Sequence, residues 1–267
     1  MNKSLRSDTL KILAMLFMFV DHFGAVILNK IYVTTIDPSS ASIVWNAYEV
    51  CRAIGRLAMP IFCYQIVVGV LRTGNRYRYI GTLVIAGVLS EISFDLAGDG
   101  KIVSANSQNV MFTLALCATA ISIIEWFVNS ELYRDIASEK TRKIAYGSMC
   151  FLSVFTLSVV AELIKCDYGA KAVILAFIFY YFREDSVKLS VYGILLFMLD
   201  NAFIMYLRFH DLNATIKYCC FEAYACLSFL LIVRDNGIRK GGKTLKWIGY
   251  AFYPVHLLVL YLVSTLI

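Results

Sequence analysis

Residues 19–27 read FVDHFGAVI, an aspartate beside a histidine in a run otherwise suited to hydrocarbon. A charge near the bilayer centre is costly, so ionisable groups there tend to face a bundle interior and to serve function. Histidine is the side chain best suited to exchange a proton near neutral pH. In a dry bundle, a neutral His22 would deprotonate a hydroxyl or an amine while a nearby carboxylate held its tautomer. Asp21 and His22 point about 100° apart on a helix, so Asp21 is expected to meet an arginine or a histidine of another span. Further along, Glu91 and Asp95 are four residues apart and share a helix face, where two acids repel unless a cation or a shared proton intervenes. Arg52 or Arg56 would supply the cation.

The same groups would also serve a proton relay in a transporter, and spacing alone does not separate the two. Each has a plainer reading as well: His22 as a satisfied packing residue, and Glu91 with Asp95 as a structural ion-pair site with Arg56. His256, in FYPVHLL, follows Pro254, which frees a backbone carbonyl for it to bond; structural and functional readings of it stand level. His210 falls in an outer loop. At the other membrane face, RTGNRYRY (72–79) gathers three arginines and two tyrosines. Guanidinium groups bind phosphates bidentately, although composition alone favours positive-inside anchoring with interfacial aromatics.

These residues need elements that hold them at one depth. The chain of 267 residues is 60% hydrophobic and 16% charged, with a mean hydropathy of +0.69. Soluble domains run near ~45–50% apolar and ~25% charged, so the chain reads as an all-α integral membrane protein. Nine apolar runs are long enough, or nearly so, to cross a bilayer: 9–28, 57–72, 79–97, 108–128, 144–162, 168–183, 187–207, 218–233 and 247–266. The stretch 41–56 reads as an interfacial helix leading into the second. The first run is too long for a signal peptide and lacks a small-x-small cleavage site, so it reads as a retained helix. A single polytopic domain over 1–267 is expected.

Lys and Arg set the orientation. With the N-terminus cytoplasmic, the inner side takes Lys3, Arg6 and Lys11, three residues from Arg72 to Arg78, four from Arg134 to Lys143, Arg183 with Lys188, and five from Arg234 to Lys246, leaving 8 of the 25 outside. An odd number of spans then puts the C-terminus outside. The net charge of +6 is a mark of topology and requires no nucleic acid. Eight cysteines without a C-x-x-C pair read as small core or lipid-facing residues, with no metal site and no redox role. Counted at 1.5 Å per residue from the inner end of each span, His22 lies about 20 Å up, Glu91 about 18 Å, Asp95 about 24 Å and Asp200 about 20 Å. Asn109, Glu162, Asp167, Arg52 and Arg56 join them nearer the outer surface.

The segments LKILAMLFMFVDHFGAVI, RAIGRLAMPIFCYQIVVGVLRTGNRYRY, GVLSEISFDLA, DYGA (167–170) and FYPVHLLVLYLV together resemble the TraX family of membrane proteins, known for acetylating the N-terminus of F-type pilin. That family is distantly similar to the acyltransferase 3 and heparan glucosaminide acetyltransferase families, and His22 holds the place of a histidine tied to transfer in many of these. The resemblance implies a multi-pass protein of the cytoplasmic (inner) membrane that takes an acetyl group from cytosolic acetyl-CoA, its donor substrate. The acceptor would be extracytoplasmic: a peptide, a pilin-like protein or a glycan.

Under this reading Arg72, Arg76 and Arg78, with Tyr77, would hold the coenzyme, and its arm would reach His22 along a continuous path. Arg56 or Asn109 would stabilise the oxyanion, and Glu91 with Asp95 would orient the base or receive a cationic amine. Val68 stands where many family members carry an acid. A proton-coupled transporter and a non-catalytic assembly factor for a surface structure are the rival readings.

Overall fold

The computed structural model describes residues 4–267; Lys3, counted above among the inner-side charges, lies outside them. Among the described residues the chain is helical throughout, and extended pairing is limited to two isolated bridges, Leu5 with Asp235 and Gln108 with Cys166. Among these residues eight helical segments are long and apolar enough to cross a membrane, Pro38–Arg72 counted as one.

The first run continues past its expected end at 28, giving α1 (Ser7–Thr34). Twenty-eight residues reach about 42 Å, beyond the ~30 Å hydrocarbon core. A π-helical turn over Phe23–Leu28 follows directly on His22. Pro38 in the first turn and the Asp37 side chain, which accepts from Ser40 N at 2.8 Å, start α2 (Pro38–Gly55). This helix contains the stretch expected at the interface. It returns instead along α1, with Cys51 against Gly24 and Arg52 on Asp21.

A turn at Arg56–Leu57 leads into α3 (Ala58–Arg72). Pro60 explains the bend, since it has no N–H for the carbonyl of Arg56 and its ring crowds that carbonyl. Apart from one short turn of helix at Glu131–Arg134, the remaining helices are α4 (Arg76–Asp99), α5 (Val110–Val128), α6 (Glu139–Leu163), α7 (Gly169–Tyr181), α8 (Ser186–Phe209), α9 (Leu212–Ile232) and α10 (Gly242–Ser264).

The bundle is built around α3, α5 and α7. Their Val67, Val70, Ile121, Ile124 and Val173 are fully buried. At 13 residues, α7 covers only about 20 Å, so it does not cross alone and is the weakest of the nine expected spans. Alanines 170, 172 and 176 let α3, α5 and α6 approach it closely. Helices α4, α6 and α8 instead present Ile85, Leu89, Phe151, Phe155, Leu195 and Leu199 outward, which suits a lipid face and would be a liability in water.

Two loops at one end of the bundle are tied together over the core. Gln108 N donates to Lys165 O and Asp167 N to Gln108 O, both at 2.9 Å. Lys165, Tyr168 and Gly169 all have positive φ, so the loop turns sharply and lays Asp167 and Tyr168 over the bundle.

Candidate functional site

A cavity of about 410 Å³ opens towards the end of the bundle that carries these loops, walled by Asp21, His22, Arg52, Arg56, Asp167 and Tyr168, with Phe94, Ala97 and Gly98 of α4 closing one side. Its size falls within the usual range of small-molecule sites.

His22 faces this cavity from α1, and its Nδ1 lies 2.6 Å from His256 Nε2 of α10. His256 is buried, and its own Nδ1 lies 2.7 Å from the carbonyl oxygen of Phe252. A carbonyl only accepts, so His256 Nδ1 carries a proton. With both rings neutral, His256 Nε2 then accepts from His22 Nδ1–H, and the lone pair of His22 is left on Nε2, which has no protein partner among the described residues. The expected carboxylate beside His22 is thus replaced by a second histidine. The carbonyl that His256 uses is also not the one freed by Pro254, which belongs to Tyr250.

Asp21 meets arginines of another helix, as its geometry required: Oδ2 is 2.6 Å from Arg52 Nη1 and Oδ1 is 3.6 Å from Arg56 Nη2. The close approach needs Gly55, where an added Cβ would run into the Asp21 carboxylate. Arg56 is shared, its Nη1 donating to Glu222 Oε1 at 2.9 Å and its Nε to the Arg52 carbonyl at 3.3 Å. Two carboxylates from α1 and α9 therefore fix one guanidinium beneath the cavity, a geometry that offsets the desolvation of all three groups. Lys171 and Tyr218 complete the wall, with Lys171 Nζ donating to the tyrosine hydroxyl.

Asp167 has no ion-pair partner among the described residues. The loss of solvent around it raises its carboxyl from 3.8 to about 6, against the opposing pull of Arg56.

The other acids expected here do different work. The Glu91 carboxylate takes the Asn109 side-chain amide, which also donates to the Gly87 carbonyl at 2.8 Å. The Asn109 Oδ1 caps α5 by accepting from Met111 N at 3.0 Å. Asp95 accepts from Ser104 N at 2.7 Å. Glu91, Asp95 and Asn109 thus anchor the 100–109 loop and line no part of the cavity, and Arg56 pairs with neither acid. The repulsion between two acids on one helix face is offset here by a separate donor to each. Asp200 also lies away from the cavity, with one carboxylate oxygen buried and without a partner. Val68 does not line this cavity.

At the opposite end a second cavity, about 360 Å³, is walled by Lys11, Arg72, Arg239, Lys246, Tyr79 and Tyr250. Phe62 of α3 belongs to the wall of both cavities. The continuous path expected from the 72–79 turn to His22 is therefore interrupted at this ring. Of the four residues expected to hold a coenzyme only Arg72 lines this second cavity. Arg76 turns to Glu125 at 3.2 Å, where Tyr180 also donates at 2.7 Å. Arg78 is exposed, and Tyr77 is 86% exposed.

Glu222, Lys171 and Tyr218 were not distinguished by sequence. They fall in the first turns of the expected runs 168–183 and 218–233, where a solvated role at the end of a span is the default. Only their facing Arg56 and Asp167 gives them a place in the site.

Comparison with known proteins bears on what such a site does. The family described as "TraX protein" matches residues 6–264. The protein named "Probable fimbrial assembly protein FimC, serogroup H1" of Dichelobacter nodosus is 27% identical over 266 residues, covering 94% of this chain and 92% of its own. No solved structure matches.

Proposed function

The chain belongs to the TraX family, and from that premise we propose that it is an acyltransferase of the inner membrane. It moves an acetyl group from cytosolic acetyl-CoA to an extracytoplasmic acceptor, a pilin-like N-terminus, another peptide or a glycan. In this reading the N-terminus is cytoplasmic and the C-terminus external. The observation that carries the reading is the His22–His256 pair, which leaves a single basic nitrogen at the wall of a cavity with fixed guanidinium groups.

The reaction follows from that wall. The acceptor amine or hydroxyl loses its proton to His22 Nε2 as it attacks the thioester carbonyl, forming the new N–C or O–C bond. His256 holds His22 Nδ1–H, so the ring stays turned to the cavity as it becomes imidazolium. Arg56, pinned by Asp21 and Glu222, and Arg52 beside it supply positive charge for the oxyanion; a charge fixed in advance costs no reorganisation when the oxyanion forms. When the tetrahedral species collapses, the C–S bond breaks and the coenzyme thiolate takes the proton from His22. Asp167, on the cavity wall, is placed to receive an amine acceptor.

The test is transfer of labelled acetyl-CoA to a peptide with a free N-terminal amine by the purified protein in neutral detergent. Wild type should label the peptide; His22→Ala should bind coenzyme and leave the peptide unlabelled. The name of the Dichelobacter relative favours one alternative, an assembly factor whose polar layer only fixes helix register. In that case His22→Ala supports assembly of the surface structure as well as wild type does, and neither protein labels the peptide.

A further inference from the structure

We propose that the inner cavity is the phosphate site of the acyl donor, and that Lys11, Arg72, Arg239 and Lys246 hold those phosphates. The assignment rests on the acyl-transfer reading above but concerns residues that the motif 72–79 does not contain.

Four cations from four parts of the chain meet at one cavity: Lys11 from α1, Arg72 from the end of α3, Arg239 from the loop before α10, and Lys246 from its first turns. None of them has a carboxylate within 4.0 Å among the described residues, although eight such pairs occur elsewhere in the chain. The one acid on the wall, Asp8, is engaged by the backbone N–H groups of Lys240 and Gly241. Lys11 Nζ donates to the Leu245 carbonyl at 3.2 Å and Arg72 Nη1 to the Gly237 carbonyl at 2.8 Å. Carbonyls aim these groups without neutralising them. Gathered like charges repel, and an anionic ligand relieves that repulsion.

The cradle is also built to be open. Lys11 passes over Gly249, where an added Cβ would lie 2.7 Å from its Nζ. Helix α10, 23 residues long, begins at this wall, just after the N–H groups of Lys240 and Gly241 that hold Asp8. Tyr79 and Tyr250 supply aromatic wall. Arginine forks and lysine point charges together suit an array of phosphate esters.

Phosphate esters arrive here either on a nucleotide coenzyme or on an anionic lipid. The shared wall at Phe62 favours the nucleotide: a thin arm leaving this cavity past that ring enters the chamber of His22.

The experiment is equilibrium binding of coenzyme A to purified protein in neutral detergent, with and without phosphatidylglycerol. Lys11→Gln, Arg239→Gln and Lys246→Gln combined should weaken binding by about a hundredfold, at roughly tenfold or less per charge-assisted contact. Tyr77→Ala with Arg78→Gln should bind within about twofold of wild type. Thermal unfolding of each variant separates loss of the site from loss of the fold. Should the triple variant be unfolded, the same measurement on Lys11→Gln alone decides the matter. Wild-type affinity in the triple variant, or loss confined to the Tyr77/Arg78 variant, overturns the assignment. Competition by phosphatidylglycerol with no nucleotide binding overturns the nucleotide and makes a lipid headgroup the occupant. Coenzyme binding that depends on these cations, without acetyl transfer, keeps the phosphate site and removes the acyl-transfer reading instead.

Discussion

His22 Nδ1 and His256 Nε2 approach to 2.6 Å between the first and last helices of the chain, 234 positions apart in sequence. The contact closes the bundle and at the same time decides which nitrogen of His22 faces the cavity. A histidine whose other nitrogen is held in this way keeps its tautomer through a reaction cycle.

Replacing His256 by Ala should therefore lower kcat by about a hundredfold or more, the scale on which loss of an orienting group is felt, while the affinity for coenzyme A stays within about twofold. A histidine that only packs would not split the two constants. Steady-state kinetics alongside equilibrium binding makes the distinction.

Arg56 and Glu222 are nearly inaccessible, their side chains 10% and 5% exposed. Glu222→Leu leaves the guanidinium with Asp21 alone, and breaking a buried pair from one side costs about 3–5 kcal/mol. The double variant Arg56→Met/Glu222→Leu should recover most of that stability and none of the activity. Thermal unfolding of the two single variants and the double variant in one detergent measures the coupling.

Asp167 gives a pH dependence with a definite sign. Its folded carboxyl, raised from 3.8 to about 6, holds a proton more tightly than the unfolded chain does. Its contribution to stability is therefore full below about pH 4 and lost as the pH rises through about 6. The melting temperature of wild type should fall relative to Asp167→Asn between about pH 4 and 6, and a parallel course of the two curves over that range would contradict it. Arg56, Asp21 and Arg52 are the charges that face this group.

Phe62 separates the two cavities. Phe62→Ala should join them and admit water to the donor, so hydrolysis of acetyl-CoA without an acceptor should rise several-fold above wild type. Release of free coenzyme thiol, followed with a thiol reagent, measures it.

Much of the bundle was legible because hydrocarbon leaves so few options: apolar runs must be helices, and each of the nine expected runs contains one. The length of α1 and the return of α2 along it were not, since the choice of which helices pair leaves no mark in hydropathy. Asp21 against arginine followed from the 100° between neighbours. Glu91 and Asp95 misled because depth and spacing say nothing of what a carboxylate finds beside it, and Asn109 and Ser104 N lay nearer than any arginine. The basic turn 72–79 drew attention by density of charge. Lys11, Arg239 and Lys246 are scattered over 236 positions and meet only through the fold.

The central claim is that His22 passes an acetyl group between a donor and an acceptor on opposite faces of the membrane. It is tested most directly in proteoliposomes, with labelled acetyl-CoA outside and an N-terminally free peptide sealed within. The account predicts labelled peptide in the lumen of wild-type vesicles and background label with His22→Ala. Equal labelling by the two proteins, or label appearing only on peptide added to the donor side, would contradict it.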